Sequence, residues 1–297
     1  MKTLREYITL AEENKVAIGH FNFATLDMLW AIFNAAKELS TEIEHPFGSE
    51  GIPVVVGLAE EERKYVGVEA AAILIKNLRQ EHGYPIFLNA DHTYSVDLVK
   101  EAIDAGYDSV IYDGNKETVE ENVEHTKQVV AYRNAKNPAC LVEAELGFIG
   151  MGSVVRDTIP EGVSSETMTK PEEAQKFVQA TGIDLLAPSV GNIHGMVKGG
   201  DPALDASRVA AIRQACGIPL VLHGGSGSSD QDFVKVIDAG ISLVHISTEL
   251  RVAYHDTLVK TIGELDALQP YKYLAPSRDA VKEIAKARMR LFIEKKL

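Results

Sequence analysis

The chain has 297 residues, 45% of them apolar and 25% charged, and a formal net charge of -13. This is the balance of a globular chain able to bury a substantial core. The acidic excess argues against a general nucleic-acid or anionic-membrane binder, because both need a basic face.

No apolar stretch approaches the ~20 residues of a membrane-spanning helix. The first residues, MKTLREYITLAEENK, read as a capped amphipathic helix rather than a signal peptide, so the expected location is the cytoplasm. Cys140 and Cys216 are too few for a disulfide framework and read as buried free thiols.

Short apolar, β-branched runs then recur along the chain with amphipathic stretches between them. The expected strands are 16–23, 52–58, 85–91, 108–113, 140–146, 184–190, 218–223 and 242–248. The segments between them carry helical spacing, as in Val96, Val99, Ala102 and Ile103 before Ala105-Gly106, and the Ala-Gly stop returns at Ala239-Gly240. Continuously apolar strands, each followed by a helix, imply a parallel sheet covered by helices, and eight such units close most simply into a (β/α)8 TIM barrel of α/β class. A doubly wound open sheet is the competing arrangement. The expected domain is the whole chain, 1–297, with an extra C-terminal helix over 276–294. Two segments break the rhythm: an insertion at 41–51, and the glycine-containing stretch 147–169, a candidate active-site lid.

In a barrel the chemistry comes from the C-terminal ends of the strands. The third strand ends in Asp91-His92, the sixth is followed by His194, the seventh ends in His223-Gly-Gly-Ser-Gly, and the eighth carries His245. Any one of these histidines alone reads best as a packed core or loop residue. Three at equivalent strand ends, in a chain with nine histidines, point to an open catalytic metal site with His92, His194 and His223 as ligands. Asp91 is either a group that orients a ligand or an acid-base group beside the metal. Gly224, Gly225, Ser226 and Gly227, with Ser247 and Thr248, stand where barrels bind phosphate through backbone N–H groups and hydroxyls. Lys198 is a candidate for a compensating charge there.

The motifs GHFNF (19–23), NADHTYS (89–95), VEAELG (142–147), MTKPEEA (168–174), GNIHGMVKG (191–199), LHGGSG (222–227), TELR (248–251) and LAPSRDAVKE (274–283) span nearly the whole chain. Together they resemble the class II, metal-dependent fructose-bisphosphate and tagatose-bisphosphate aldolases. The resemblance implies a zinc or similar divalent ion on the three histidines, polarising a ketose carbonyl and stabilising an enediolate, with a monovalent cation as a further candidate. It implies that Asp91 moves the proton of the C4 hydroxyl. Asn22 and His245 would contact substrate, Gly195, Lys198, the GGSG loop, Ser247 and Thr248 would surround one phosphate, and Arg251 would meet the far phosphate. Asp113 and Glu145 match carboxylates near the metal in some members. The implied reaction is reversible cleavage of a ketose bisphosphate to dihydroxyacetone phosphate and an aldehyde, carried out by a homodimer or homotetramer with a small phosphorylated sugar as its partner. The alternatives are a diverged metal- and phosphosugar-binding barrel without turnover, and an enediolate isomerase or epimerase.

The departures from the family pattern fall in the site. His245 stands in place of an asparagine and Val244 in place of a lysine. Gly57-Leu58-Ala59-Glu60 replaces a serine-containing segment, and His20 replaces a small residue. The lid reads Gly150-Met-Gly-Ser-Val154, without the usual carboxylate, leaving Asp157, Glu161, Glu166, His245 or His20 as candidate bases.

Overall fold

The computed structural model describes residues 1–297. Its first helix, α1 (Leu4–Glu13), begins at Thr3, whose hydroxyl accepts from Glu6 N while the Glu6 carboxylate returns to Thr3 N at 2.7 Å. This reciprocal capping box is what makes the first turn stable. The strands that follow are β1 (Ile18–Asn22), β2 (Val54–Leu58), β3 (Ile86–Thr93), β4 (Ser109–Tyr112), β5 (Leu141–Leu146), β7 (Leu185–Pro188), β9 (Leu220–Leu222) and β10 (Ile241–Ile246). All pair in parallel and close into an eight-stranded barrel, with β1 meeting β10 in the register Ile18 to Leu243 and His20 to His245.

Every expected strand is therefore present, and the arrangement is a (β/α)8 barrel rather than an open sheet. Seven of the eight barrel strands are buried along their whole length and β3 is buried except at His92, which is why they read as continuous apolar runs rather than as alternations. Two further strands, β6 (Val155–Arg156) and β8 (Met196–Val197), pair outside the barrel. Each is two residues long, too short for any periodicity to announce it.

The helices are α2 (Leu26–Glu42), α3 (Glu60–Val66), α4 (Val68–His82), α5 (Val96–Ala105), α6 (Val119–Lys136), α7 (Pro171–Thr181), α8 (Ala206–Cys216), α9 (Asp230–Ala239), α10 (Thr248–Glu264), α11 (Pro270–Tyr273) and α12 (Ala275–Glu294). α5 buries Val99, Ala102 and Ile103 and stops at Gly106, whose φ of 88° only glycine adopts without strain. α12 lies against α2, burying Val281, Ala285, Met289 and Phe292, while Lys286 reaches Glu38 and Glu42 across the seam. Both cysteines are free, Cys140 buried as expected and Cys216, at the end of α8, only half-buried.

The 41–51 segment belongs to the N-terminal face. Its first residues complete α2, Phe47 is buried against Tyr7, and Glu50 accepts from Tyr7 Oη at 2.6 Å. It fastens α1 to the entrance of β2 and stands apart from the strand ends that carry the chemistry.

Candidate metal and substrate site

Three imidazoles meet at the C-terminal mouth. His92 Nε2 lies 3.0 Å from His194 Nε2 and 3.1 Å from His223 Nδ1. The second nitrogen of each ring is held by an acceptor. His92 Nδ1 is 2.8 Å from Asp113 Oδ2, His194 Nδ1 is 2.8 Å from the Gly150 carbonyl, and His223 Nε2 is 2.6 Å from Glu143 Oε1. Such partners fix both the tautomer and the orientation of a ligating histidine.

His92 reaches this position through an irregularity in β3. The pairing register with β4 shifts between Ala90 and Thr93, and His92 adopts a φ of 32°, a conformation costing ~1–3 kcal/mol for a residue other than glycine. The buried Arg63 holds the bend from both sides, donating to Asp91 O at 2.8 Å and to Thr93 Oγ1 at 2.6 Å.

Proton affinities follow from this crowding. Burial opposes charge on His92, but Asp91, Asp113 and Glu145 outweigh it and push its pKa up to about 10. Burial, reinforced by His92, brings His194 down to about 4, and burial with His245 and His92 holds His223 well below the usual imidazole range. Burial lifts Glu143 and Glu145 well above ordinary carboxylates. Asp91 is buried too, yet His92, His245 and His20 keep it well below.

A divalent ion suits these residues. Glu145 shares a cluster with the three histidines in which one ligand atom from each lies within 4.8 Å of the others. Both of its buried carboxylate oxygens lack any hydrogen-bond partner, an arrangement that a bound cation satisfies. The proton on His92 is the charge such an ion displaces.

Asp91 Oδ2 accepts from Asn22 Nδ2 at 2.9 Å, and Asp91 Oδ1 is 3.3 Å from His245 Nδ1, out of hydrogen-bond alignment. His245 stacks on His20 at 3.5 Å between ring centroids and leans on His223 at 3.9 Å. The cleft above is lined by residues that include Asn22, Gly195, Gly224, Ser226, Thr248 and Arg251. Gly224 is required for this closeness: a Cβ there would stand 2.1 Å from the Ile193 carbonyl. Ser226 Oγ accepts from the N–H groups of Ser247 and Glu249 at the start of α10, and the buried Ser247 hydroxyl oxygen has no partner. A helix N-terminus with a free hydroxyl is suited to an anion.

Several expected residues are placed differently. Lys198 does not line the cleft; it pairs with Asp157 at 2.8 Å on the exposed β6–β8 ribbon, because Val197 joins that ribbon and the next side chain projects outward. Gly225 and Gly227 support the turn without lining it: Gly225 N bonds His245 O, and a Cβ on Gly227 would meet Asp201 at 2.3 Å. Asp113 stands behind His92 rather than in the ligand cluster. Asp157, Glu161 and Glu166 are exposed on the lid, whereas Ser153 is the lid side chain that reaches the cleft.

Four contributors were not foreseen: Glu143, Arg63, Ser153 and Glu62, whose carboxylate accepts from Asn22 Nδ2 at 3.1 Å. Glu143 had a signal, since it lies two residues before Glu145 on one strand, which puts both on the same face. The other three lie on a helix or in the lid, where no strand-end rule applies.

A closed parallel barrel whose C-terminal mouth gathers three imidazoles and an unpaired buried carboxylate defines a metal-dependent barrel enzyme. Residues 2–296 match the family model described as fructose-bisphosphate aldolase class-II, and the chain belongs to that family. It is accordingly a class II aldolase, a carbon–carbon lyase. It is 34% identical over 294 residues to a fructose-bisphosphate aldolase of Staphylococcus epidermidis, an alignment covering 98% of this chain and 96% of the relative. A fructose-bisphosphate aldolase of Geobacillus stearothermophilus is 35% identical over 298 residues with the same coverage. Among solved structures, the YdjI aldolase of Escherichia coli K12 superposes with a TM-score of 0.80 at 28% identity, covering 97% of this chain and 96% of that one.

Proposed function

We propose that the protein catalyses the reversible aldol cleavage of a phosphorylated ketose, with zinc or a similar divalent ion held by His92, His194 and His223. The observation that carries this is the convergence of three imidazole nitrogens beside a buried Asp91 whose pKa is held down. The ion, when bound, supplies Lewis-acid polarisation of the ketose carbonyl.

The chain's own residues do the rest. Asp91, ionised at neutral pH and oriented by the Asn22 amide, takes the proton of the C4 hydroxyl as the C3–C4 bond breaks, and the enediolate so formed takes up one proton at C3 from solvent while Asp91 releases its own; in condensation C3 gives up its proton and Asp91 protonates the aldehyde oxygen. The partnerless Ser247 hydroxyl at the positive end of α10 binds the phosphate, and Thr248 and Gly224 shape the floor beneath it. Ser153 brings the lid over the cleft and excludes water. We also read the protein as a cytoplasmic homo-oligomer. The exposed Val259, Ile262 and Leu265 along and just beyond α10 favour self-association, and a monomeric sedimentation coefficient would count against it.

The test is cleavage of ketose phosphates by zinc-loaded protein with triose phosphate release as readout. Cleavage is expected to stop on chelation, to return with added zinc, and to fall at least ~100-fold in Asp91→Ala while bound zinc stays stoichiometric. Cleavage that persists after the metal is stripped sinks the proposal.

A further inference from the structure

Arg251, in the first turn of α10, is the arginine that lines the cleft, yet its guanidinium is already engaged. Arg251 Nη2 lies 2.5 Å from Glu62 Oε1. Glu62 is only 11% exposed and is fixed from several sides, because its Oε2 also accepts from Ala59 N at 2.8 Å and from Asn22 Nδ2 at 3.1 Å. The N-cap of α3 is Ala59, whose side chain cannot cap the helix, and the Glu62 carboxylate is the acceptor for the Ala59 N–H, so it cannot turn away without orphaning a helix-end N–H. Asn22 in turn holds Asp91. The surroundings do not restore a free cation: Glu60 and Glu61 flank the same end of the cleft, and the nearby Lys64 is shared between them at 3.1 and 2.6 Å. A second phosphate would therefore face a neutralised guanidinium and surplus carboxylate. An uncharged tail with hydroxyl groups finds donors on Arg251 and acceptors on Glu62 side by side.

Resting on the aldolase reading above, we infer that this enzyme cleaves ketoses carrying a single phosphate, bound at the α10 N-terminus, and that Glu62 determines this by pairing with Arg251 and leaving the distal end to an uncharged polyhydroxylated tail. The experiment compares a ketohexose 1-phosphate with the corresponding 1,6-bisphosphate on zinc-loaded protein, in the wild type and in Glu62→Gln. The amide keeps the size of the side chain and an acceptor for Ala59 N while removing the charge. Wild-type kcat/KM is expected to favour the monophosphate at least ~10-fold, and Glu62→Gln to shift that ratio at least ~10-fold toward the bisphosphate. Equilibrium binding of the same two sugars to Asp91→Ala protein, with and without Glu62→Gln, should shift in the same direction without turnover. A wild type that prefers the bisphosphate, or a ratio unmoved by Glu62→Gln, overturns the inference and leaves aldol cleavage standing. The expected binding shift with neither sugar cleaved removes the aldolase reading and leaves the role of Glu62 intact.

Discussion

The two ends of the barrel treat their inward carboxylates, half-buried at one and buried at the other, in opposite ways. At the entrances of the strands, Asp108 precedes β4 and accepts from Leu88 N at 2.8 Å beside Arg79, and Asp184 precedes β7 and accepts from Val142 N at 2.8 Å between Arg5 and Arg133. Each of these carboxylates extends the strand ladder and is neutralised by arginine. At the exits the pattern reverses. Asp91, Glu143 and Glu145 keep buried oxygens without partners, and both His245 nitrogens and the Ser247 hydroxyl are likewise unpaired. A buried unpaired polar group costs ~1–3 kcal/mol, so a fold keeps several together only where a ligand uses them. One end of the barrel holds the strands in register and the other is poised for chemistry.

That contrast is broken most severely at Asp184. Asp184→Ala leaves the Arg133 guanidinium, 6% exposed, without its carboxylate and a strand N–H without its acceptor, and the expected loss is about 3 kcal/mol in chemical denaturation. Since Asp184 stands at the opposite end from the histidines, kcat should stay within about twofold of wild type when stability is lost by that amount. A drop in kcat without a loss of stability would show that the two ends are not separable in this way.

Glu143→Gln tests the other end and should have a smaller effect. The carboxylate that orients His223 becomes an amide, and metal affinity is expected to fall ~10–100-fold by competition with a chromophoric chelator. The metal-free protein should not be destabilised at neutral pH. The pKa of Glu143 is raised in the fold, so its stabilising contribution is complete below its unfolded value and lost as pH rises, and the amide escapes that loss. Unchanged metal affinity would show that His223 needs only an acceptor there and not its charge.

The fold was legible because buried parallel strands are apolar throughout, and Val54–Leu58 or Leu141–Leu146 stand out whatever surrounds them. Their ends were less so: β3 runs two residues beyond the expected 91, through a bend that only Arg63, far along the chain, makes tenable. The histidines could be found because strand ends converge in every closed barrel. Lys198 and the lid carboxylates were misplaced because spacing says nothing of which way a loop side chain points. Three departures noted separately in the sequence form one packing unit. A Cβ on Gly57 would lie 2.1 Å from His20 Nε2, so the missing side chain in β2 makes room for His20, which in turn stacks on His245. Such coupling is invisible along the chain, since the three residues meet only across β1, β2 and β10.

The smallest expected effect lies at the entrance of β2, where Glu50 gathers the N-terminal ammonium at 3.0 Å, the Tyr7 hydroxyl at 2.6 Å and Lys2 N at 3.3 Å. The Tyr7 hydrogen bond, with the ammonium behind it, brings its pKa from 4.5 to about 2. A depressed carboxylate contributes stability above its unfolded pKa and loses it as pH falls through the folded one, so the window runs from about 4.5 down to about 2. Solvent reaches this carboxylate and screens it, which limits the contribution to about 1 kcal/mol or less. Thermal unfolding of Glu50→Gln should therefore lie slightly below wild type at pH 7 and converge with it as pH approaches 2, with metal binding unaltered at neutral pH. A gap that persists at the acid end would mean that Glu50 acts through packing against Tyr7 and Phe47 rather than through charge. The entrance would then be held by shape, and its contrast with the mouth would rest on Asp108 and Asp184 alone.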